Sequence, residues 1–234
     1  MSLISIGGSL SAANFSNKAK DYSAMDGYLK RHIILLGASI SRAWHIELLP
    51  DRINTNDFVF EFIDGSSFDK SEKLREILLR RQGKPNAIFL KECAAYFPGN
   101  LPKYTGLMEQ WIKECSEAGI IPIPTTVIPV TRFHSLKKFM IDIMKFRNPL
   151  KYGNPFKHKR NAGVLEYNDW IRKYCRDHGL SYLDLEEALC YSKRNRYLRE
   201  DLARVDGLHL NRKAYKILDQ IIVSTLEKVN WGKS

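Results

Sequence analysis

Five short apolar runs alternate with stretches of helical spacing, and that alternation is what most restricts the architecture open to this 234-residue chain. The runs are Ile33-Ile34-Leu35-Leu36, then 58–65, 86–92, 120–128 and 181–185; the helical stretches are 41–49, 66–82, about 101–118, 161–178 and 211–229. Strand then helix throughout implies crossover connections and a parallel sheet covered on both faces, a three-layer α/β arrangement. Pro122 and Pro124 favour the start of the fourth strand or an edge over a central ladder position.

The first strand run ends in Gly37-Ala38-Ser39-Ile40-Ser41. A buried strand that turns sharply after Gly37 leaves the Ser39 hydroxyl at its C-terminal end, the side on which open α/β sheets bind ligands. With a helix following, Ser39 lies near free backbone N–H groups that suit a developing negative charge. The same position is also that of an ordinary helix cap, and Ser39 alone does not distinguish the two.

Near the other end stands Asp206-Gly207-Leu208-His209-Leu210-Asn211, in a turn before the last helix. A carboxylate three residues before an imidazole can accept the Nδ1–H, hold the ring in one tautomer and leave Nε2 to take a proton. Such a pair is the base and orienter that a serine nucleophile needs. It also fits a plain polar turn in which Asn211 caps the final helix.

A serine turn after the first strand and an Asp-x-x-His turn after the last, with βα units between, make the sequence from about residue 30 onward resemble the SGNH/GDSL hydrolase superfamily. Gly37-Ala38-Ser39-Ile40 stands where that family has Gly-Asp-Ser, Gly65 where it has the glycine after the second strand, and Asp206 to His209 where it has Asp-x-x-His. The resemblance implies a three-layer α/β/α, flavodoxin-like fold with a five-stranded parallel sheet, and ester cleavage without a cofactor. It further implies a triad of Ser39, His209 and Asp206, with the backbone N–H groups of Ser39 and Gly65 in the oxyanion hole. Ala38 replaces an Asp that is not part of the triad. The third strand of the family ends in a turn whose Asn side chain donates to the oxyanion, and this chain reads Lys91-Glu92-Cys93-Ala94-Ala95 there, with no Asn. Losing one such donor typically costs about 2.7 to 4 kcal/mol in the transition state. Lys91, Cys93 and the downstream Asn100 are candidates to point into the site, whereas an ionised Glu92 there would oppose the oxyanion.

The formal net charge of +11 is concentrated in one segment: residues 129–160 hold nine basic residues against the single acid Asp142. Within it Leu136, Phe139, Met140, Ile143 and Met144 recur at helical spacing, with Lys137, Lys138, Asp142 and Lys145 off that face. This basic amphipathic helix either packs its apolar face on the domain, or caps the site and meets an anionic substrate or surface, with Lys137 and Lys138 as substrate contacts. The chain has no recognisable nucleic-acid motif, which leaves non-specific affinity alone.

The organisation expected is a loose arm at 1–24, rich in Ser, Ala, Gly and Asn, and one domain over 25–234 with a basic helical insertion at about 129–160. No apolar run is long enough to cross a bilayer, and the first residues do not have the form of a signal peptide. Cys93, Cys115, Cys175 and Cys190 form no CxxC pair, and the histidines lack metal-ligand spacing, so reduced thiols, a cytoplasmic location and no metal are expected. The function expected is a serine-dependent ester hydrolase removing an acyl group, for example acetyl, from a carbohydrate or lipid ester. An O-acyltransferase acting on carbohydrate, and a catalytically weak glycan- or membrane-binding protein on the same fold, are the alternatives.

Overall fold

The strand that places Ser39 is buried on both faces. β1 (Arg31–Gly37) sends Ile33 and Leu35 into one apolar cluster and Ile34 and Leu36 into another, all four without solvent exposure. The computed structural model describes residues 30–232 apart from 152, 155 and 156. The expected arm at 1–24 lies outside the described residues.

β1 pairs in parallel with β2 (Phe58–Asp64) on one side and β3 (Ala87–Leu90) on the other, and β3 pairs with β4 (Ile121–Pro124), giving the order β2-β1-β3-β4. A cluster on one face holds Trp44, Leu49, Ala214, Leu218 and Ile222 from α1 (Ser39–Trp44), α2 (Leu49–Ile53) and α8 (Arg212–Leu226). The opposite cluster holds Leu74 of α3 (Ser71–Leu78), Met108 and Trp111 of α4 (Leu101–Glu117) and Val164, Tyr167 and Ile171 of α6 (Lys159–Asp177). Helix, sheet and helix form the three layers that the alternation implies.

Four strands and a bridge stand where five strands are expected. Residues 181–185 lie parallel beside the end of β4 but pair through a single bridge, Thr125 with Leu183, before α7 (Leu185–Leu189) begins. The prolines explain this. Ile121 and Thr125 donate their N–H groups inward to Asn86 and Leu90, so the alternate positions face outward, and there Pro122 and Pro124 have no N–H to offer. The Pro124 carbonyl, accepting from Leu183 N at 2.9 Å, and Thr126 N, donating to Leu183 O at 3.0 Å, are the backbone bonds that hold the outer segment, and the Thr126 hydroxyl adds a bond to Asp184 Oδ1 at 3.1 Å.

The helix expected over 41–49 starts earlier and breaks sooner. α1 opens at Ser39 and ends where His45 turns left-handed, at φ 49°; a 3-10 turn over Ile46–Leu48 leads to α2. Pro50 cannot donate to the Ile46 carbonyl, so a helix begun at Ser39 cannot run through it. α3 is likewise shorter than 66–82, because Asp69 Oδ1 takes the Ser71 N–H at 2.9 Å and starts the helix there.

α5 (Arg132–Met144) is the basic amphipathic helix, but it is turned the other way from the packed arrangement. Asp142 is buried and accepts from Lys138 at 2.8 Å, while Leu136, Met140, Ile143 and Met144 face solvent and Phe139 is half-buried. The ion pair has taken the inner side of the helix.

Candidate active site

Gly37 allows the turn after β1 to be tight. A side chain there would begin 2.2 Å from Ser41 Oγ and 2.9 Å from Ser41 Cβ, so only the absence of one lets the first turn of α1 fold back over the strand end. Ser41 is fully buried beneath that turn, and its hydroxyl has no hydrogen-bond partner among the described residues. Ser39, two residues away, is exposed, and its Oγ makes no hydrogen bond to any described residue. It is not a cap: the N-cap position is Ala38, without a side-chain bond. As the first helical residue, Ser39 has a backbone N–H with no acceptor inside the helix.

The Asp206 turn is a braced hairpin. Ala203 and Leu210 form an antiparallel bridge, Arg204 N donates to His209 O at 2.7 Å, and Arg204 Nε donates to Leu210 O at 3.0 Å. Gly207 turns the chain at φ 67°, pressed so closely on the start of α5 that a side chain would lie 2.4 Å from Thr131 Oγ1. Thr131 N donates to Gly207 O at 3.0 Å and His134 Nδ1 to Asp206 O at 2.8 Å, which joins α5 to the hairpin. Within it His209 Nδ1 donates to Asp206 Oδ2 at 2.6 Å, and the N–H groups of Leu208 and His209 both donate to Asp206 Oδ1 at 2.9 Å. Partial burial pushes the Asp206 carboxyl up, but the His209 ring and the two N–H donors outweigh it and hold it down at about 2. Asp206 is therefore ionised, and Nε2 of His209 stays outside the bond that orients the ring.

α8, which follows the histidine hairpin, packs on α1, which opens at Ser39. Asp219, on α8 and nearly buried, accepts from Trp44 Nε1 at 2.8 Å and from Arg52 Nε and Nη2 at 2.8 and 2.9 Å. Tyr215 donates its hydroxyl to the Ile40 carbonyl at 3.2 Å. Sequence reasoning missed both contacts, since nothing local marks Asp219 or Tyr215 as partners of a segment some 175 residues earlier.

Two oxyanion expectations meet different geometry. The Gly65 N–H donates to the Gly37 carbonyl at 2.7 Å, extending the β1–β2 ladder by one rung, and is not free for a substrate oxygen. Gly65 instead gives passage to Lys70: a Cβ on it would lie 3.0 Å from Leu36 Cδ1 and 3.1 Å from Lys70 Cδ. Lys70 crosses that gap to Glu92, Nζ to Oε2 2.8 Å, under the rings of Tyr96 and Trp111. Glu92 is thus turned into the α3/α4 layer and neutralised there, rather than opposing an oxyanion. Burial pushes its carboxyl up against the pull of Lys70.

Lys91 is also buried, which pushes its ammonium down, and its Nζ donates to Glu92 O at 3.1 Å. Its Cβ lies 3.5 Å from where a side chain on Gly37 would start. Cys93 is a half-buried free thiol, Ala94 is buried and Ala95 exposed, the last two opening a 3-10 turn over Ala94–Tyr96. Asn100 caps α4, its Oδ1 accepting from Lys103 N at 3.0 Å, so its amide oxygen is held by the helix. Lys138 is engaged with Asp142, and Lys137 is exposed on α5.

No protein-family model and no curated protein matches the sequence. Solved structures do match its fold. A GDSL-like lipase from Bacteroides thetaiotaomicron superimposes with a TM-score of 0.60 at 16% identity, covering 85% of this chain and 88% of that one. The fold is that of the SGNH/GDSL hydrolases. An acetyl xylan esterase matches with a TM-score of 0.59 at 16% identity over 83% of this chain and 99% of the other. The OSK domain of Drosophila Oskar matches with 0.51 at 16% identity over 82% and 87%. At the end of β3, where the sequence resemblance leads to an expected Asn, a buried ion pair and a buried lysine stand. Among the described residues no cluster of His, Cys, Asp or Glu could hold a metal ion.

Proposed function

We propose that this chain is a serine-dependent ester hydrolase with Ser39 as nucleophile, His209 as base and Asp206 as the group that orients and charges the base. The observation that carries this reading is the Asp206–His209 pair, 2.6 Å apart in a braced hairpin; the exposed hydroxyl of Ser39, in the turn after β1, supports it. Ser39 Oγ attacks the ester carbonyl and His209 Nε2 takes its proton. His209 then returns that proton to the leaving alcohol, giving an acyl-enzyme. Water, deprotonated by the same Nε2, attacks the acyl-enzyme and releases the acid. The Ser39 N–H supports the tetrahedral oxyanion. With no amide side chain after β3 and Gly65 N–H engaged, the oxyanion receives fewer donors than usual, and turnover is correspondingly modest. Acylated carbohydrates and lipid esters both fit this chemistry, and a carbohydrate hydroxyl in place of water would make the reaction an acyl transfer.

The depleted oxyanion hole favours a second reading, a non-catalytic binding protein on the same fold. Labelling with a fluorophosphonate probe separates the two. The hydrolase reading expects an adduct on Ser39 that is absent in Ser39→Ala, together with hydrolysis of short aryl esters that the same substitution abolishes. No adduct and no hydrolysis in the wild type would leave the binding reading.

A further inference from the structure

We propose that α5 and the turn that follows it dock the protein on an anionic lipid surface. On the outer side of α5, Phe133, Leu136, Met140, Ile143 and Met144 are exposed, and Phe146 just beyond the helix is 99% exposed. Large side chains rarely gather on a surface in this way without a partner. This helix has the means to bury them and does not, because its inner side is taken by Lys138 and Asp142.

Charge identifies the partner. Lys137, Lys145 and Arg147 are exposed among these apolar side chains, and Asp142, the one acid between 129 and 160, is buried. Apolar side chains interleaved with cations, with Glu200 as an exposed carboxylate only at the first turn of α5, where it accepts from Phe133 N, fit a bilayer of anionic lipids: the chains enter the acyl boundary while the ammonium and guanidinium groups meet the phosphates. The shape agrees. Phe146 is held left-handed at φ 52° and projects clear of the chain, a protruding tip rather than a groove for another helix. Among the described residues no helix is long and apolar enough to cross the membrane, so the contact lies in the interface.

Because Thr131 and His134 hold the first turn of α5 against Gly207 and Asp206, docking sets the Asp206–His209 hairpin beside the lipid surface. The docking itself does not depend on the hydrolase reading.

The test is flotation of the full chain with phosphatidylcholine vesicles and with vesicles containing 30% phosphatidylglycerol, about 0.1 M salt in each. Binding to the anionic vesicles alone, lost at 0.5 M salt, is expected. Met144→Asp with Phe146→Asp should lower it at least tenfold, and Lys145→Glu about fivefold or more. These side chains are exposed, and Asp tolerates the left-handed conformation of residue 146 better than Phe, so unfolding transitions should match the wild type. Ser39→Ala should float like the wild type whether or not the protein is an esterase. Absence of binding to anionic vesicles, or binding unchanged in the double variant, would overturn the proposal. So would a wild-type dimer in sedimentation velocity that the double variant dissociates, since a second copy would then cover the patch.

Discussion

Lys70 Nζ stands 2.8 Å from Glu92 Oε2, with 1% and 3% of the two side chains exposed, at the end of β3 where SGNH enzymes carry an amide. The pair is held between rings: Tyr96 and Trp111 lie 5.3 and 5.4 Å from the ammonium. Removing one partner strands a charge in an apolar layer, whereas removing both leaves a space that apolar side chains can fill. Lys70→Met and Glu92→Leu should therefore each destabilise by roughly 3–5 kcal/mol, and the double variant should recover most of the loss. Urea unfolding of the four proteins checks this. Equal and additive losses would mean that the two groups do not act as a pair.

Ser41 is fully buried with an unpartnered hydroxyl, and it lies directly over Gly37. Ser41→Ala removes an unsatisfied oxygen and keeps the Cβ, so it should be neutral or stabilise by about 1 kcal/mol. Gly37→Ala should do the opposite. The new Cβ meets Ser41 Cβ at 2.9 Å, which only a shift of α1 relieves, so stability should fall by about 1–3 kcal/mol and ester hydrolysis should fall with it as Ser39 moves. Thermal unfolding and initial rates on a short aryl ester distinguish the two substitutions.

The Asp206 carboxyl, held near 2 against its ordinary 3.8, favours the ionised form in the folded protein. Its contribution to stability is therefore fully present above pH about 4 and fades as the pH falls through about 2. Above pH about 4 Asp206 stays ionised, so this carboxylate should contribute nothing to any change in stability between there and neutrality. Urea unfolding of the wild type and of Asp206→Asn at a series of pH values checks this: their difference should be constant above pH about 4 and shrink below it, and a difference that already shrinks near neutrality would show that the carboxyl is not held down. Asp206→Asn should lower kcat by about 10⁴, because the amide no longer favours the required tautomer.

The parallel sheet and the two chemistry-bearing turns are legible in the sequence because continuous apolar runs identify doubly covered strands, and because Gly37-Ala38-Ser39 and Asp206 to His209 are local motifs. What is not legible depends on which face or group the rest of the fold takes up. Helical spacing groups Leu136, Met140 and Ile143 on one face but does not say that Lys138 and Asp142 will turn that face outward. Gly65 reads as an oxyanion donor from its place after β2, yet the Gly37 carbonyl takes its N–H and Lys70 takes the space above it on its way to Glu92, and neither the Gly37 nor the Glu92 contact is marked by anything local. Pro122 and Pro124 do signal a weak edge, and the single bridge at Leu183 follows from their missing donors.

Asp219 gathers Trp44 from the end of α1 and Arg52 from the end of α2 onto α8, and so ties the helix that opens at Ser39 to the helix that follows the His209 hairpin. Asp219→Ala leaves the Trp44 indole N–H without its acceptor and removes the ion-pair partner of Arg52, which keeps the His45 and Trp44 carbonyls, so a loss of about 1–3 kcal/mol is expected. The kinetic effect separates positioning from mere weakening. Asp219 is remote from the sequence motifs that carry the chemistry, so a change in the angle between α1 and α8 should lower kcat severalfold while KM for a small ester stays within about twofold. Asp219→Asn keeps one acceptor oxygen for Trp44 and should restore part of the rate. Rates measured well below the unfolding transition test this: kcat unchanged in a folded Asp219→Ala protein would show that Asp219 stabilises the helix layer without setting the serine.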